Sequence, residues 1–236
     1  MLKAFITYFA HVAALQSAFL ASPISASSGT CDSSTLNTTT YLYPITKTGT
    51  TIFEVANATG RGVCNIARHN LMVDAEIPFN AGQTIYIPPE VCDKDDSSCL
   101  LVKQNPTAEC IYGGPRLYYT VLGDTYERIA LYRLNITVES LMGTMGNGTS
   151  PTEVLQPKQF LKVPLCDPSQ CVMQPFTFTF GVFKDLAEQY GTTPGQIQML
   201  SPTYNYSTSL YTGATKPSFV LPKNCTALSS NVTVIT

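Results

Sequence analysis

The fold of this chain is decided by residues 119–130, YTVLGDTYERIA, because the chain repeats this stretch twice in weaker form. One echo covers residues 45–56, ITKTGTTIFEVA, and the other covers residues 176–187, FTFTFGVFKDLA. The three stretches align without gaps. Each copy closes further along with an apolar residue and a proline, at Ile87-Pro88, Val163-Pro164 and Leu221-Pro222. Self-similarity at such a period predicts three repeated structural units.

Each unit is predicted to have the order strand, helix, helix, strand. Residues 45–48, 119–122 and 176–179 are rich in β-formers and predict the first strand. Apolar residues at i, i+3 and i+4 spacing then indicate one buried face of the first helix. These residues are Ile52, Val55 and Ala56, then Tyr126, Ile129 and Ala130, then Phe183, Leu186, Ala187 and Tyr190. A second helix is predicted around residues 64–69, 138–144 and 195–200, and a second strand, ended by proline, over 84–87, 160–163 and 218–221.

Polar residues at the turns predict how the first helices begin. Asp124 with Glu127 three residues later has the pattern of a capping box, and Thr51 with Glu54 is a shifted version of it. Asp124 is therefore predicted to be a helix cap, whereas the third copy lacks an Asp or Thr at this place. The predicted fold class is α+β, with three small βααβ units packed together because the connections between them are short.

The chain carries the marks of an exported protein. Residues 1–26 are predicted to be a signal peptide with an uncertain cleavage site, since Lys3 precedes an apolar run and small residues follow it. The alternative is an N-terminal membrane anchor, which the short and interrupted run does not favour. Seven glycosylation acceptors, typical of a eukaryotic secreted protein, support export. They are Asn37, Asn57, Asn135, Asn147, Asn205, Asn224 and Asn231.

An even number of cysteines in an exported chain predicts four disulfides, which small units need because their cores are small. The eight cysteines are Cys31, Cys64, Cys92, Cys99, Cys110, Cys166, Cys171 and Cys225. Pairing within each unit is plausible, because antiparallel strands bring the two ends of a unit together. Cys64 and Cys99 fit an alternative in which a unit is tied to the linker, and the sequence leaves the connectivity open.

Composition argues against several classes of function. Fourteen basic and sixteen acidic residues give a net charge of −2, which offers no basic face to nucleic acid or anionic lipid. His69 is the only histidine after the signal, so a His-rich metal site is excluded and a His-dependent hydrolase would rest on one residue. Asp93, Asp95 and Asp96 lack the glycine and glutamate of a calcium loop and are predicted to lie in a solvated linker. We therefore predict no enzyme activity, no cofactor and no metal.

The quoted motif, Tyr-Thr-Val-x-Gly-Asp-Thr-x-x-x-Ile-Ala with a later Ile-Pro, resembles the LysM carbohydrate-binding module. With the signal, the three copies and the eight cysteines, residues 31–225 are similar to secreted fungal LysM effectors. The resemblance implies LysM domains at residues 43–90, 117–166 and 174–224, a linker at 91–116 and a tail at 225–236. The module's usual Asn-Pro, which opens its second loop, is replaced here by Asn70-Leu71, Met145-Gly146 and Ser201-Pro202.

The resemblance implies a partner, chitin oligomers, and three grooves between the strand-to-helix turn and the loop after the second helix. It suggests that the first and third units clamp one oligomer, and it allows ligand-induced oligomerisation. It implies sequestration of chitin from plant receptors; the alternatives are a wall-coating protein and an interaction protein that has lost sugar binding. The groove residues carried over are Gly49, Thr50, Thr51, Asn70, Leu71, Met72, Val73 and Asp74; Gly123, Asp124, Thr125, Met145, Gly146 and Asn147; and Gly181, Val182, Phe183, Ser201, Pro202, Thr203, Tyr204 and Asn205.

Overall fold

The structure, a computed structural model, describes residues 31–143, 148–201, 204 and 218–228. The described residues from Asp32 onward belong to one compact body. Among the described residues, no helix is long and apolar enough to cross a membrane. Several sequence predictions fall outside this part of the chain: the signal peptide, the groove residues Met145, Gly146, Asn147, Pro202, Thr203 and Asn205, and the acceptor Asn231.

The first unit has the predicted strand-helix-helix-strand order. Its α1 begins at a capping box, in which Thr51 accepts from the Glu54 N–H and Glu54 accepts from the Thr51 N–H, as the sequence predicts. The prediction of a strand over 45–48 is wrong, because the paired segment ends before Ile45 and the chain then turns toward Gly49. The elements are β1 (Tyr41–Pro44), α1 (Ile52–Thr59), α2 (Val63–His69) and β2 (Thr84–Ile87), and β1 is antiparallel to β2.

The second and third units repeat this order with local differences. Their first strands also begin earlier than predicted. The prediction that proline ends the last strand is wrong in the third unit, because that strand continues through Pro222. A two-stranded sheet has only edge strands, so a proline can lie in it without removing a ladder bond. In the second unit the elements are β4 (Leu117–Tyr119), α3 (Tyr126–Arg128), a π-helical stretch (Ile129–Leu134), α4 (Val138–Met142) and β5 (Phe160–Lys162). In the third they are β7 (Gln170–Thr177), α5 (Phe183–Tyr190), α6 (Pro194–Met199) and β8 (Ser218–Thr226).

Disulfides follow both of the patterns that the sequence left open. Cys110 on β3 (Cys110–Ile111) is bonded to Cys166 on β6 (Leu165–Cys166), and these two short strands pair antiparallel. Cys171 is bonded to Cys225 across β7 and β8. Cys64, in contrast, ties α2 to the linker through Cys99. Cys31 and Cys92 are also disulfide-bonded, so all eight cysteines are used, as predicted.

The three units pack on one another through a shared apolar cluster. Leu71, Val73 and Ile77 of the first unit lie in the same buried cluster as Phe183 of the third and Val121 of the second. The first and second units keep a further cluster each. The loop that follows α2 therefore belongs to the interior of the whole chain and not to the surface of one unit.

Candidate functional site

The strand-to-helix turn of the first unit is open on its outer side. Gly49 has φ +91°, and a Cβ built on it would meet no atom within 4 Å. The inner side of the turn is held by two backbone bonds of 2.8 Å, from the Gly49 N–H to the Phe79 carbonyl and from the Phe79 N–H to the Thr50 carbonyl. The Thr50 hydroxyl donates to the Lys47 carbonyl at 2.7 Å. This turn therefore presents a well-held backbone with room for a ligand beside it.

The corresponding turn of the second unit is covered by the first unit. A Cβ on Gly123 would lie 3.3 Å from Cδ of Pro78. Asp124 is fully buried, and the prediction that it caps a helix is wrong. The cap is Thr125, which accepts from the Arg128 N–H at 3.0 Å. Asp124, which is predicted to begin the helix, thus makes contacts in the interior instead.

The carboxylate of Asp124 lies inside a polar cluster of the second unit. It accepts from the Val121 N–H at 2.8 Å and from the Tyr118 hydroxyl at 3.1 Å. Its other oxygen is 2.7 Å from a guanidinium nitrogen of Arg133, which also donates to the Tyr118 hydroxyl. Burial raises the pKa of Asp124, and the charge of Arg133 acts against that shift. Asp124 therefore organises the interior, and its carboxylate has no exposed surface to offer a sugar.

The turn of the third unit is packed against the first unit. The Gly181 N–H donates to the Arg68 carbonyl at 3.1 Å, and the Phe183 N–H donates to the Met72 carbonyl at 3.2 Å. Val182 and Phe183 are completely buried. As the sequence predicts, no side chain at Val182 caps α5; instead Asp185 accepts from the Val182 N–H at 2.9 Å. The turn of the third unit is thus in direct contact with the segment 68–72, which leads into the second side of the predicted first groove.

The loop after α2 contains five predicted groove residues, and the structure buries all their side chains. Asn70 joins this loop to β2: its amide donates to the Tyr86 carbonyl and accepts from the Tyr86 N–H, at 2.8 and 2.9 Å. Leu71 has φ +55°, which proline cannot adopt. In the first unit, a proline at this position would therefore require a different backbone conformation. The five buried residues are Asn70, Leu71, Met72, Val73 and Asp74.

Asp74 connects the first unit to the second by buried ion pairs. Its carboxylate is 2.7 Å from Arg128 and 3.1 Å from Arg133, and Glu76 is 2.9 Å from Arg128. Burial acts to raise the pKa of Asp74, but the charges of Arg133 and Arg128 outweigh it and hold the pKa below its usual value. Arg133, itself 1% exposed, thus lies between two carboxylates, those of Asp74 and Asp124.

Arg68 connects the first unit to the third and to the linker. It contacts Asp185 through two 2.9 Å hydrogen bonds and Asp95 through one of 2.6 Å. The hydrogen bonds that Arg68 donates to Asp185 raise the pKa of Arg68 against the opposing effect of burial. Asp93 and Asp96 are exposed, as predicted for a solvated linker, and Asp96 also accepts from the Val63 N–H at the start of α2.

The loop of the third unit is described at only a few predicted groove positions. Ser201 and Tyr204 are buried, and the Tyr204 hydroxyl donates to the Leu71 carbonyl at 2.6 Å. Burial raises the pKa of Tyr204. The residues that the sequence reasoning missed are the arginines Arg68, Arg128 and Arg133. No repeat or motif marks them, since their partners are distant in the chain.

Comparison with known proteins finds secreted LysM effectors. The chain is 49% identical over 209 residues to the secreted LysM effector LysM13 of Penicillium expansum, which covers 88% of this chain and 89% of that protein. It is 31% identical over 198 residues to the secreted LysM effector ECP6 of Passalora fulva, over 83% of each chain. It is 37% identical over 120 residues to the secreted LysM effector ELP2 of Colletotrichum higginsianum, over 51% of this chain and 65% of that protein. No protein-family model matches. The two long alignments show that the chain belongs to the secreted LysM effectors.

Proposed function

We propose that this protein is a non-enzymatic binder of chitin oligosaccharides that sequesters chitin fragments and so suppresses chitin-triggered plant immunity. The observation that carries the proposal is the open turn at Gly49 in a chain that belongs to the secreted LysM effectors. Of the three turns, this is the one with space beside its backbone. The first unit is therefore our primary sugar-binding unit.

The chemistry of this turn suits a neutral, acetylated sugar. Backbone carbonyl groups of the turn can accept a hydrogen bond from the N–H of an acetamido group. A glycine without a Cβ allows the sugar to approach the backbone closely. Thr48, which is exposed, and Thr50, which is half-buried, add hydroxyl groups beside it. A site of this kind needs neither a charged partner nor a catalytic group.

A clamp between the first and third units is the second part of the proposal. The two walls that would hold the sugar are joined by the Gly181–Arg68 and Phe183–Met72 backbone bonds. An oligomer between them would have to replace those two bonds with its own. Once the oligomer is bound to one unit, its binding to the second unit is intramolecular, and this would raise affinity by about 10²–10⁴.

Titration calorimetry with chitin hexamer tests binding. We expect Gly49→Asp to weaken binding by about tenfold or more, about 1.4 kcal/mol, because the new side chain occupies the space beside the turn. Gly60→Asp is the matched control: Gly60 has φ +67°, also has no atom within 4 Å of a built Cβ, and lies at the far end of α1. Absence of heat with the unaltered protein, or equal losses in both variants, would contradict the proposal.

The immune function needs its own measurement. Plant cells treated with chitin hexamer are expected to respond less when the protein is present, and Gly49→Asp is expected to restore the response. If the protein binds chitin but leaves the response unchanged, while it protects fungal walls from chitinase, the wall-coating function replaces the immune one.

A further inference from the structure

A cleft lies outside the three turns, between the linker and the helices of the second and third units. Its volume is about 230 Å³, far more than the roughly 10–15 Å³ that one water needs and less than the roughly 300–1,000 Å³ of pockets for free ligands. Such a space suits a single sugar ring better than a larger mobile ligand. Its lining is mixed, with apolar Leu101, Leu131 and Ala187 and polar Gln104, Lys184 and Glu188.

Asn135 lies in the wall of this cleft and begins a glycosylation acceptor, Asn135-Ile136-Thr137. Its backbone is left-handed, with φ +55°. Its side-chain oxygen Oδ1 is buried and has no hydrogen-bond partner, whereas the residue as a whole is only half-buried. Nδ2, the atom to which a glycan is attached, is therefore the amide atom on the open side.

The rest of the acceptor triplet is built into the fold. The Thr107 N–H donates to the Asn135 carbonyl at 3.1 Å, and the Thr137 N–H donates to the Thr107 carbonyl at 2.9 Å. Ile136 is buried, and the Thr137 hydroxyl caps α4 by accepting from the Ser140 N–H. A transferase could not engage this triplet in the folded protein. Any glycan at Asn135 must be attached before the linker and the third unit close around it.

We infer that Asn135 carries an N-linked glycan whose first N-acetylglucosamine fills this cleft as a permanent part of the fold. In the transfer, Nδ2 attacks C1 of an oligosaccharide carried on a lipid diphosphate. The N–C1 bond forms, the C1–O bond to phosphate breaks, the lipid diphosphate leaves and Nδ2 loses one proton to solvent. The apolar walls then cover the sugar's C–H groups, and the polar side chains meet its hydroxyls. This inference does not depend on chitin binding.

Other acceptors supply an internal comparison. Asn37, Asn57 and Asn224 are exposed. Asn224 is the best match, because it has φ +51° and so shares the left-handed backbone of Asn135 without its burial. Replacing either asparagine by glutamine imposes similar backbone strain. A difference in stability between the two variants therefore reflects the surroundings of each acceptor and not the strain of its backbone.

The first experiment uses the unaltered full chain secreted from yeast. Glycopeptide mass spectrometry is expected to find Asn135 occupied. Peptide-N-glycosidase is expected to release this glycan from the native protein about tenfold or more slowly than glycans at the exposed acceptors, because release requires local opening. Unfolding the protein should abolish the difference. An unoccupied Asn135, or release at the rate of the exposed acceptors, overturns the inference.

The second experiment compares Asn135→Gln with Asn224→Gln by thermal unfolding. In protein from yeast, Asn135→Gln is expected to lower Tm by more than Asn224→Gln does. In protein refolded from bacteria, which carries no glycan, the gap between the two variants is expected to be smaller, because only the change of side chain remains. Equal shifts in the yeast protein, or a gap of the same size in both proteins, would contradict a structural role for the glycan.

Discussion

The loop after α2 contacts both other units, and the two junctions differ in their chemistry. Toward the second unit it offers a buried carboxylate, Asp74, to Arg128 and Arg133. Toward the third it offers apolar side chains, with Leu71 in the cluster around Phe183, and backbone carbonyls that accept hydrogen bonds. One loop thus joins three units by two unlike interfaces.

The two junctions should differ in how strongly their stability depends on a single side chain. Apolar burial stabilises roughly in proportion to area and tolerates small changes of shape. A buried ion pair gives little net stability, but loss of one partner leaves a charge stranded in the interior. The junction with the second unit should therefore be the more easily broken by a single substitution. The charged contact in the junction with the third unit, Arg68–Asp185, is partly exposed and should matter less.

The largest expected effect comes from Asp74→Asn. The substitution removes the charge that Arg128 and Arg133 share. Because Arg133 keeps Asp124 and Arg128 keeps Glu76, we expect the free energy of unfolding to fall by about 3 kcal/mol, the lower end for broken buried pairs. Urea unfolding measures it. Glu76→Gln is the control, since Glu76 contacts the same Arg128 but is partly exposed, and should cost less than about 1 kcal/mol. Equal losses in the two variants would show that burial of Asp74 is unimportant.

A second effect should appear on acidification. Because the pKa of Asp74 is lower in the folded chain than its usual value of 3.8, its contribution is present above that value and is lost as the pH falls through the folded pKa. Asp124 acts in the opposite sense, because burial raises its pKa. We expect the gap in stability between the unaltered protein and Asp74→Asn to shrink between about pH 5 and pH 2. A gap that stays constant over this range would contradict the assignment.

The smallest effect is expected at the other junction. Asp185→Asn keeps an oxygen to accept from the Val182 N–H but removes the charge opposite Arg68, which still has Asp95. The Arg68 and Asp185 side chains are 19% and 29% exposed, so we expect a loss of about 0.2–1 kcal/mol. Because salt screens exposed charges, the loss should diminish in about 1 M salt. A loss as large as that of Asp74→Asn would reverse the ranking of the two junctions.

Local patterns predicted much of each unit. The Thr51–Glu54 capping box and the strand at Thr84–Ile87 involve neighbours in the chain, and both occur as the sequence indicates. The first strands were placed too late, because their position is set by pairing, such as Tyr41 opposite Ile87, and not by the turn that the repeats share.

The candidate site was harder to predict, because it depends on what lies against each loop. The pattern that marks Asp124 as a cap is local, whereas its burial depends on Arg133, which the π-helical stretch carries inward. Residues 70–74 occupy the place of a groove wall in one unit, and only contacts with the other two units make them interior. Gly49, a predicted groove residue, remains accessible because no other unit covers it in the described part of the chain.

The position of the loop after α2 also limits how this protein can be divided. A first unit produced alone would expose Leu71, Val73 and Ile77 to water, and a second unit produced alone would keep Arg133 without Asp74. The first fragment would have an aggregation-prone surface, and the second would lack the carboxylate that Arg128 and Arg133 share. The sugar preference of each unit should therefore be measured by substitutions within the whole chain, and transplanting one unit into another protein would require a redesigned loop.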